Sequence, residues 1–133
     1  MTTPGRMDHI AVLEQYRDAW IAGDFAALID LYHDDFRLHW HGENSLAGVH
    51  EGKAAAVSAL LEFTRRTNRQ LAAVTHLMAD EERGVMIARE HLTGGDETRE
   101  VERLLVYRTD GRKILECWVY DGEQAFIDRL LNA

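Results

Sequence analysis

The spacing of the apolar residues changes near Arg69, and this change limits the folds that the chain can adopt. Before Arg69 the apolar residues recur every three or four positions, the spacing of an amphipathic helix. After it they alternate with polar residues, as in half-buried strands, over four segments: 71–79, 85–93, 99–109 and 114–120. The links between these segments are short and turn-like, which is typical of antiparallel hairpins. Helices followed by such a meander predict the α+β class.

Capping residues and breaks divide the rest of the chain. Asp8 is positioned to cap a first helix that runs to Ala22, where Gly23 favours a helix end and Asp24 can cap a second helix. The other predicted elements are a second helix that includes Tyr32 and is ended by Asp34-Asp35, a strand over 36–41, a loop over 42–51, a helix over 52–67 and a tail helix over 124–131.

Length and charge restrict the class of protein. The 133 residues fit one domain, 1–133, whose residues 1–7 are expected to form a disordered leader. Fifteen basic and 23 acidic side chains give a net charge of −8, which argues against nucleic acid and anionic membranes as partners. The single cysteine, Cys117, excludes an intrachain disulfide. No apolar run reaches the roughly 20 residues of a membrane span, and no signal-peptide core is evident, so we expect a cytoplasmic protein.

Several segments resemble a known family. They are Ala22-Gly23-Asp24, Tyr32-His33-Asp34-Asp35, His39, 46–52 and 114–121. Together they resemble the SnoaL-like proteins of the nuclear transport factor two-like superfamily, which includes ketosteroid isomerase, over about residues 16–120. The resemblance implies a cone-shaped half-barrel, in which a curved, mostly antiparallel sheet wraps around the N-terminal helices. It also implies a deep apolar pocket, and homodimers that pair through the outer face of the sheet.

Side chains alternate along a strand, so each predicted strand offers two candidate pocket faces. The resemblance implies that the last strand turns Cys117, Val119 and Asp121 toward the pocket. It also implies that four residues of the neighbouring strands face the pocket: Arg103, Leu105, Met86 and Glu90. The opposite face of the last strand carries Trp118 and Tyr120, which are large enough to predict a homodimer interface there.

The same register places Glu90 beside Arg103 on the neighbouring strand. Because an unpaired buried charge is costly, we expect these two side chains to bond each other. The pair is either a structural ion pair or a group that binds or polarises a polar part of a ligand.

Tyr16 matches the tyrosine that stabilises the oxyanion in ketosteroid isomerase, where a buried phenol donates a hydrogen bond to the ligand oxygen. Tyr32 matches another pocket tyrosine of that enzyme, and Trp20 is expected to be a wall residue. The alternative is that Tyr16 is a core tyrosine on the apolar face of its helix.

His39 matches a histidine frequent in SnoaL-like sequences, and an imidazole can move a proton near neutral pH. Alternation turns it away from Trp40, so a structural or exposed histidine is the alternative. Asp121 could act as an acid or base in an apolar pocket, or it could cap the tail helix. His39 and His41 share a strand face, but no third ligand has a characteristic spacing, so no metal site and no cofactor are predicted.

The sequence departs from both enzymatic relatives at their catalytic carboxylates. The position of the isomerase's general base is Trp40, and that of its second oxyanion donor is Arg103. The acid–base aspartate of the SnoaL-type cyclases falls at Val119. Because an indole cannot abstract a proton, steroid isomerisation by that mechanism is not expected.

Two functions are compatible with these residues. The first is a SnoaL-like protein that binds a hydrophobic, ring-containing molecule and performs cofactor-free acid–base chemistry of the isomerase, cyclase or hydratase type. Tyr16 and Arg103 would polarise an oxygen, and His39 or Asp121 would move a proton. The second is a non-catalytic ligand-binding or dimerisation module, which the loss of both family carboxylates favours. The sequence alone does not decide whether the protein is an enzyme.

Overall fold

The computed structural model describes residues 3–133, which form four helices and one sheet of six strands. In chain order the elements are α1 Arg6–Ala22, α2 Phe25–Asp30, β1 Tyr32–Trp40, β2 Gly48–Glu51, α3 Lys53–Thr67, β3 Gln70–Ala79, β4 Gly84–Gly94, β5 Glu97–Thr109, β6 Ile114–Asp121 and α4 Gln124–Asn132. The predicted α+β class is confirmed.

The strands lie in the order β2-β1-β6-β5-β4-β3. Neighbouring strands are antiparallel except β1 and β6, which run parallel and place Trp40 opposite Val119. The sheet is curved and does not close, as in the cone-shaped fold that the resemblance implied. One face is concave and packs against α1 and α3, so the core lies between the helices and this face.

The junction between α1 and α2 follows the sequence prediction. Gly23 adopts a left-handed conformation with φ 70°, which suits glycine because it lacks a Cβ. The side chain of Asp24 accepts a hydrogen bond from the backbone N–H of Ala27 at 3.2 Å and caps α2. The tight turn holds the two helices side by side, and both contribute to the cavity described below.

The first helix begins earlier than predicted. Its N-cap is Gly5, and Asp8 lies inside the first turn, where its carboxylate accepts a hydrogen bond from the Gly5 N–H at 2.9 Å. Arg6 and Met7 are therefore helical, which corrects part of the predicted leader. The first two residues of that leader lie outside the described residues.

Two other boundaries differ from the prediction. Strand β1 begins at Tyr32, which the sequence pattern places in the second helix, because Tyr32 pairs with Ile114 of β6 and the N–H of Ile114 donates to the carbonyl of Leu31. The predicted loop over 42–51 contains strand β2, whose residues pair with the end of β1. Both elements depend on pairing with distant segments, which local patterns do not reveal.

The last helix covers one end of the sheet and matches the predicted tail helix to within one residue. It buries Phe126, Ile127 and Leu131 and contacts α3 and β6. Among residues 3–133, the helices are all too short or too polar to cross a membrane.

Candidate ligand-binding cavity

A cavity of about 290 Å³ lies between the N-terminal helices and the concave face of the sheet. Helices α1, α2 and α3 supply one side, and β1, β3, β5 and β6 supply the other. Its wall is mostly apolar and aromatic, and includes Trp20, Leu28, Tyr32, Phe36, Leu38, Trp40, Leu60, Leu105, Cys117 and Val119. Such a cavity excludes water from most of a ligand's surface, and its few polar groups then decide how the ligand is oriented.

Three wall tyrosines, Tyr16, Tyr32 and Tyr107, form the tyrosine cluster. The hydroxyls of Tyr16 and Tyr32 are hydrogen-bonded to each other, and the ring centroids of Tyr16 and Tyr107 are 5.6 Å apart. Burial raises the pKa of Tyr16 to about 12 and raises the pKa values of Tyr32 and Tyr107 well above 10. At neutral pH these phenols are protonated, so they can donate hydrogen bonds but cannot act as bases.

Cys117 lies on the same wall, beside the tyrosine cluster. Burial raises the pKa of its thiol to about 12, although the positive charge of Arg103 opposes this. A thiol that stays protonated is a weak nucleophile, so Cys117 contributes apolar wall on the face that the resemblance implied.

A second group of side chains, the charged cluster, consists of Arg69, which is partly buried, and the buried side chains of Glu90, Arg103 and Asp121. Arg103 donates from Nη1 to Glu90 at 3.0 Å and from Nε to Asp121 at 2.5 Å. The predicted pair of Glu90 and Arg103 is therefore confirmed as an ion pair. Burial by itself raises the pKa of Glu90, but the charges of Arg69 and Arg103 outweigh it and the net pKa is lowered.

Arg69 was not predicted as a site residue, although it lines the cavity. It donates from Nε and Nη2 to the two carboxylate oxygens of Glu90, at 2.6 and 2.9 Å. Its guanidinium lies 5.3 Å from the ring centroids of both Trp20 and Phe63, within cation–π range. The available sequence signal was an arginine at the start of a strand that neighbours a strand with an inward-facing glutamate.

His39 does not reach the cavity. It points to the outer face of the sheet, where Nε2 bonds Glu116 at 2.5 Å and the ring stacks on Trp118 at 4.9 Å. Alternation along β1 explains this, because Trp40 occupies the inner face. This placement corrects the expectation that His39 transfers a proton to a molecule in the pocket.

Asp121 is on the inner face but is held by Arg103, and its carboxylate is not part of the cavity wall. Asp121 does not cap the tail helix either, because the residue at the N-terminal cap of α4 is Glu123.

Two further residues that were expected to face the pocket do not line the cavity. Met86 is buried in the core away from the cavity, and Glu90 lies behind the two arginines that line it.

Trp40 and Val119, at two positions of the missing family carboxylates, are both wall residues. Trp40 packs edge-on against Phe63, with ring centroids 4.7 Å apart. Its Nε1 is the one buried side-chain nitrogen or oxygen in the described part of the chain that lacks a hydrogen-bond partner. Since an indole N–H only donates, this position cannot serve as a base.

The described residues contain no group of three or more His, Cys, Asp or Glu side chains that could hold a metal ion. His41, the partner of His39 in the sequence pattern, bonds the carbonyl of Val119 through Nδ1 at 2.6 Å and stacks on Tyr120. The polar chemistry of the cavity is thus limited to hydroxyl, guanidinium, thiol, amide and indole N–H groups among residues 3–133.

A curved sheet wrapped around N-terminal helices defines the fold class of nuclear transport factor two-like proteins. Within this class the chain belongs to the SnoaL-like domain family, whose model matches residues 13–117. A comparison with curated protein sequences gives no match.

Several solved structures share the fold at low sequence identity. Bal32a, from a soil-derived mobile gene cassette, has a TM-score of 0.84 and 16% identity, with 96% of this chain and 98% of that one covered. A nuclear transport factor two-like protein from Burkholderia xenovorans has a TM-score of 0.75, 19% identity and coverages of 96% and 98%. A provisionally assigned polyketide cyclase from Xanthomonas campestris has a TM-score of 0.74, 18% identity and coverages of 94% and 98%. At these identities the likeness establishes the fold.

Proposed function

We propose that the protein binds a hydrophobic, ring-containing small molecule in the cavity. The observation that carries the proposal is an apolar and aromatic cavity of about 290 Å³ that also offers hydrogen-bond donors, including Tyr16 and Arg69. Burial of an apolar ligand contributes about 25 cal/mol for each Å² removed from water, and the donors orient its polar groups. Membership of the SnoaL-like family and the likeness to a provisionally assigned cyclase support a ligand of this class.

Binding without catalysis is the function that the geometry supports best. General acid–base catalysis needs a group that can accept a proton near the operating pH. Of the titratable groups in the described cavity wall, the tyrosines and Cys117 keep their protons at neutral pH, and the arginines are already cationic. The carboxylates that could accept a proton, Glu90 and Asp121, are bonded to arginines.

Cofactor-free chemistry of the isomerase, cyclase or hydratase type is the second candidate. The observation that favours it is the hydrogen bond between Tyr16 and Tyr32, since a phenol supported by another phenol is a good donor to a developing oxyanion. In this case Tyr16 would polarise a ligand oxygen, and the base would be water or the ligand itself. If a substrate is found, loss of turnover in Tyr16→Phe with unchanged ligand affinity would favour this candidate over binding alone.

The proposal is tested by native mass spectrometry of freshly purified protein. We expect an added mass from a bound small molecule, which denaturing conditions release for identification. Val119→Trp fills the cavity and should abolish the added mass. Val49→Trp makes the same exchange at an exposed site on β2 and should retain it. Equal ligand content in the two variants would contradict binding in the cavity.

We also propose that two copies of the chain pair through the outer face of the sheet. Tyr120 and Leu104 lie on this face with 43% and 39% of their surface exposed, and Trp118, two residues before Tyr120, stacks on His39 there. Large apolar side chains grouped on one face commonly mark an interface. Analytical ultracentrifugation at micromolar concentration should show a dimer that Leu104→Glu dissociates, and a monomeric parent protein would contradict the proposal.

The cytoplasmic location stays a prediction, which cell fractionation tests.

A further inference from the structure

Arg69 and Arg103 both line the cavity, but they differ in the donors that remain unused. The side chain of Arg103 is 1% exposed, and Nε, Nη1 and Nη2 all donate to carboxylates. The side chain of Arg69 is 15% exposed, and only Nε and Nη2 are bonded, both to Glu90. Within residues 3–133 the Nη1 of Arg69 has no hydrogen-bond partner, so this group remains available to a molecule in the cavity.

The guanidinium of Arg69 is fixed before any ligand arrives. Two parallel hydrogen bonds to Glu90 set its plane and direction, and the aromatic rings of Trp20 and Phe63 pack around it. Because the guanidinium is planar, the edge bonded to Glu90 leaves the Nη1 donors facing away from that carboxylate. A donor held in this way loses little side-chain freedom on binding, which strengthens the hydrogen bond that it makes.

The charge balance around Arg69 indicates which acceptor it suits. The charged cluster contains two guanidiniums and two carboxylates, so its charges cancel. The described residues of the cavity wall include no charged side chain besides Arg69 and Arg103. A ligand carboxylate would lose its hydration and meet positive charge that is already neutralised, whereas a carbonyl oxygen loses less hydration and still accepts the hydrogen bond.

We infer that Arg69 is a ligand-binding residue that selects neutral ring compounds with a carbonyl oxygen, and that Glu90 is the residue that positions it. The inference rests on the proposed function, since it names the class of ligand for the same cavity. Arg69 contributes one donor to the ligand oxygen, and the surrounding wall contacts the rings.

The test measures the affinity of the full-length protein for three naphthalenes substituted at the same ring position: acetylnaphthalene, ethylnaphthalene and naphthoate. Equilibrium dialysis gives a dissociation constant for each. The acetyl and ethyl probes match in size and differ in one oxygen, so the ratio of their affinities isolates the hydrogen bond. We expect the parent protein to bind acetylnaphthalene about tenfold more tightly than ethylnaphthalene, and naphthoate more weakly than acetylnaphthalene.

Arg69→Met keeps an unbranched side chain, shorter than that of arginine, and removes its donors. It should equalise the affinities for the acetyl and ethyl probes and leave the affinity for ethylnaphthalene within about twofold. Arg65→Met removes the same charge from an exposed site on α3 and should preserve the parent ratio. Glu90→Gln should reduce the ratio without removing Arg69, an effect that a purely structural role of Glu90 would not produce.

Arg69→Lys provides a second measurement if Arg69→Met does not fold, because lysine keeps the charge beside Glu90 but lacks the planar fork. We expect it to lower the ratio of acetyl to ethyl affinity by several fold. An unchanged ratio in a folded Arg69 variant, or tighter binding of naphthoate than of acetylnaphthalene by the parent protein, would overturn the inference while leaving the cavity as the binding site. Failure of the parent protein to bind any of the three probes would instead count against the proposed function.

Discussion

The tyrosine cluster and the charged cluster are two ways of burying polar groups beside one cavity. The tyrosine cluster keeps its members neutral, and burial raises their pKa values so that they remain neutral. The charged cluster instead pairs each guanidinium with a carboxylate. A neutral phenol that loses a partner can be hydrated by a water molecule, whereas a buried charge that loses its partner is not easily compensated. The two clusters should therefore respond very differently to the removal of one side chain.

The largest difference should come from Arg103→Met. This change leaves the buried carboxylate of Asp121 without its partner, so we expect the free energy of unfolding to fall by about 3–5 kcal/mol. Urea denaturation at neutral pH measures the effect. Arg89→Met, on the outer face with Glu100 3.8 Å away, should cost about 1 kcal/mol or less. Equal losses in the two variants would mean that the charged cluster does not depend on complete pairing.

Alkaline pH should test the tyrosine cluster, because its members are neutral until they lose a proton. The pKa of Tyr16 in the folded protein is about 12, above the ordinary value of about 10, so the unfolded chain releases this proton first. The stabilising contribution is therefore fully present below about pH 10 and is lost as the pH rises through about 12, by about 3 kcal/mol. Phenolate absorbance against pH, together with urea unfolding, should show late titration, and Tyr16→Phe should make the stability loss shallower. Titration of every tyrosine near pH 10 would contradict a neutral, buried cluster.

The smallest effect should follow Tyr32→Phe. The substitution removes one hydroxyl and leaves Tyr16 able to bond water in the cavity, so a loss of about 1 kcal/mol is expected. Thermal or urea unfolding measures it. A loss as large as that of Arg103→Met would show that the tyrosines are as tightly coupled as the charges.

The fold was largely predictable because most of its elements have a local signal. The alternation over β3 to β6 and the short links between these strands give the meander directly. The start of β1 and the whole of β2 were missed, since each is stabilised by pairing with residues far away in the sequence. Local propensity carries little information about such strands.

The inward-facing side chains of the strands were predictable once the resemblance chose between the two faces that alternation offers. Val119, Leu105 and Cys117 were placed on the wall in this way, and the bond between Glu90 and Arg103 follows from the same register. Arg69 was missed because it lies at the junction of α3 and β3, where neither periodicity applies. The functional roles of Tyr16 and the other site residues stay predictions, because no pattern in one sequence specifies a ligand.

The parallel pairing of β1 with β6 has a consequence for how the protein is made. Trp40 and Val119 face each other across this pair, although more than half of the chain lies between them in the sequence. Until β6 has been synthesised, β2 is the one strand with which β1 can pair, and a two-stranded hairpin is marginally stable by itself. The cavity wall also needs both strands, so binding competence arises only after the C-terminal segment has left the exit tunnel.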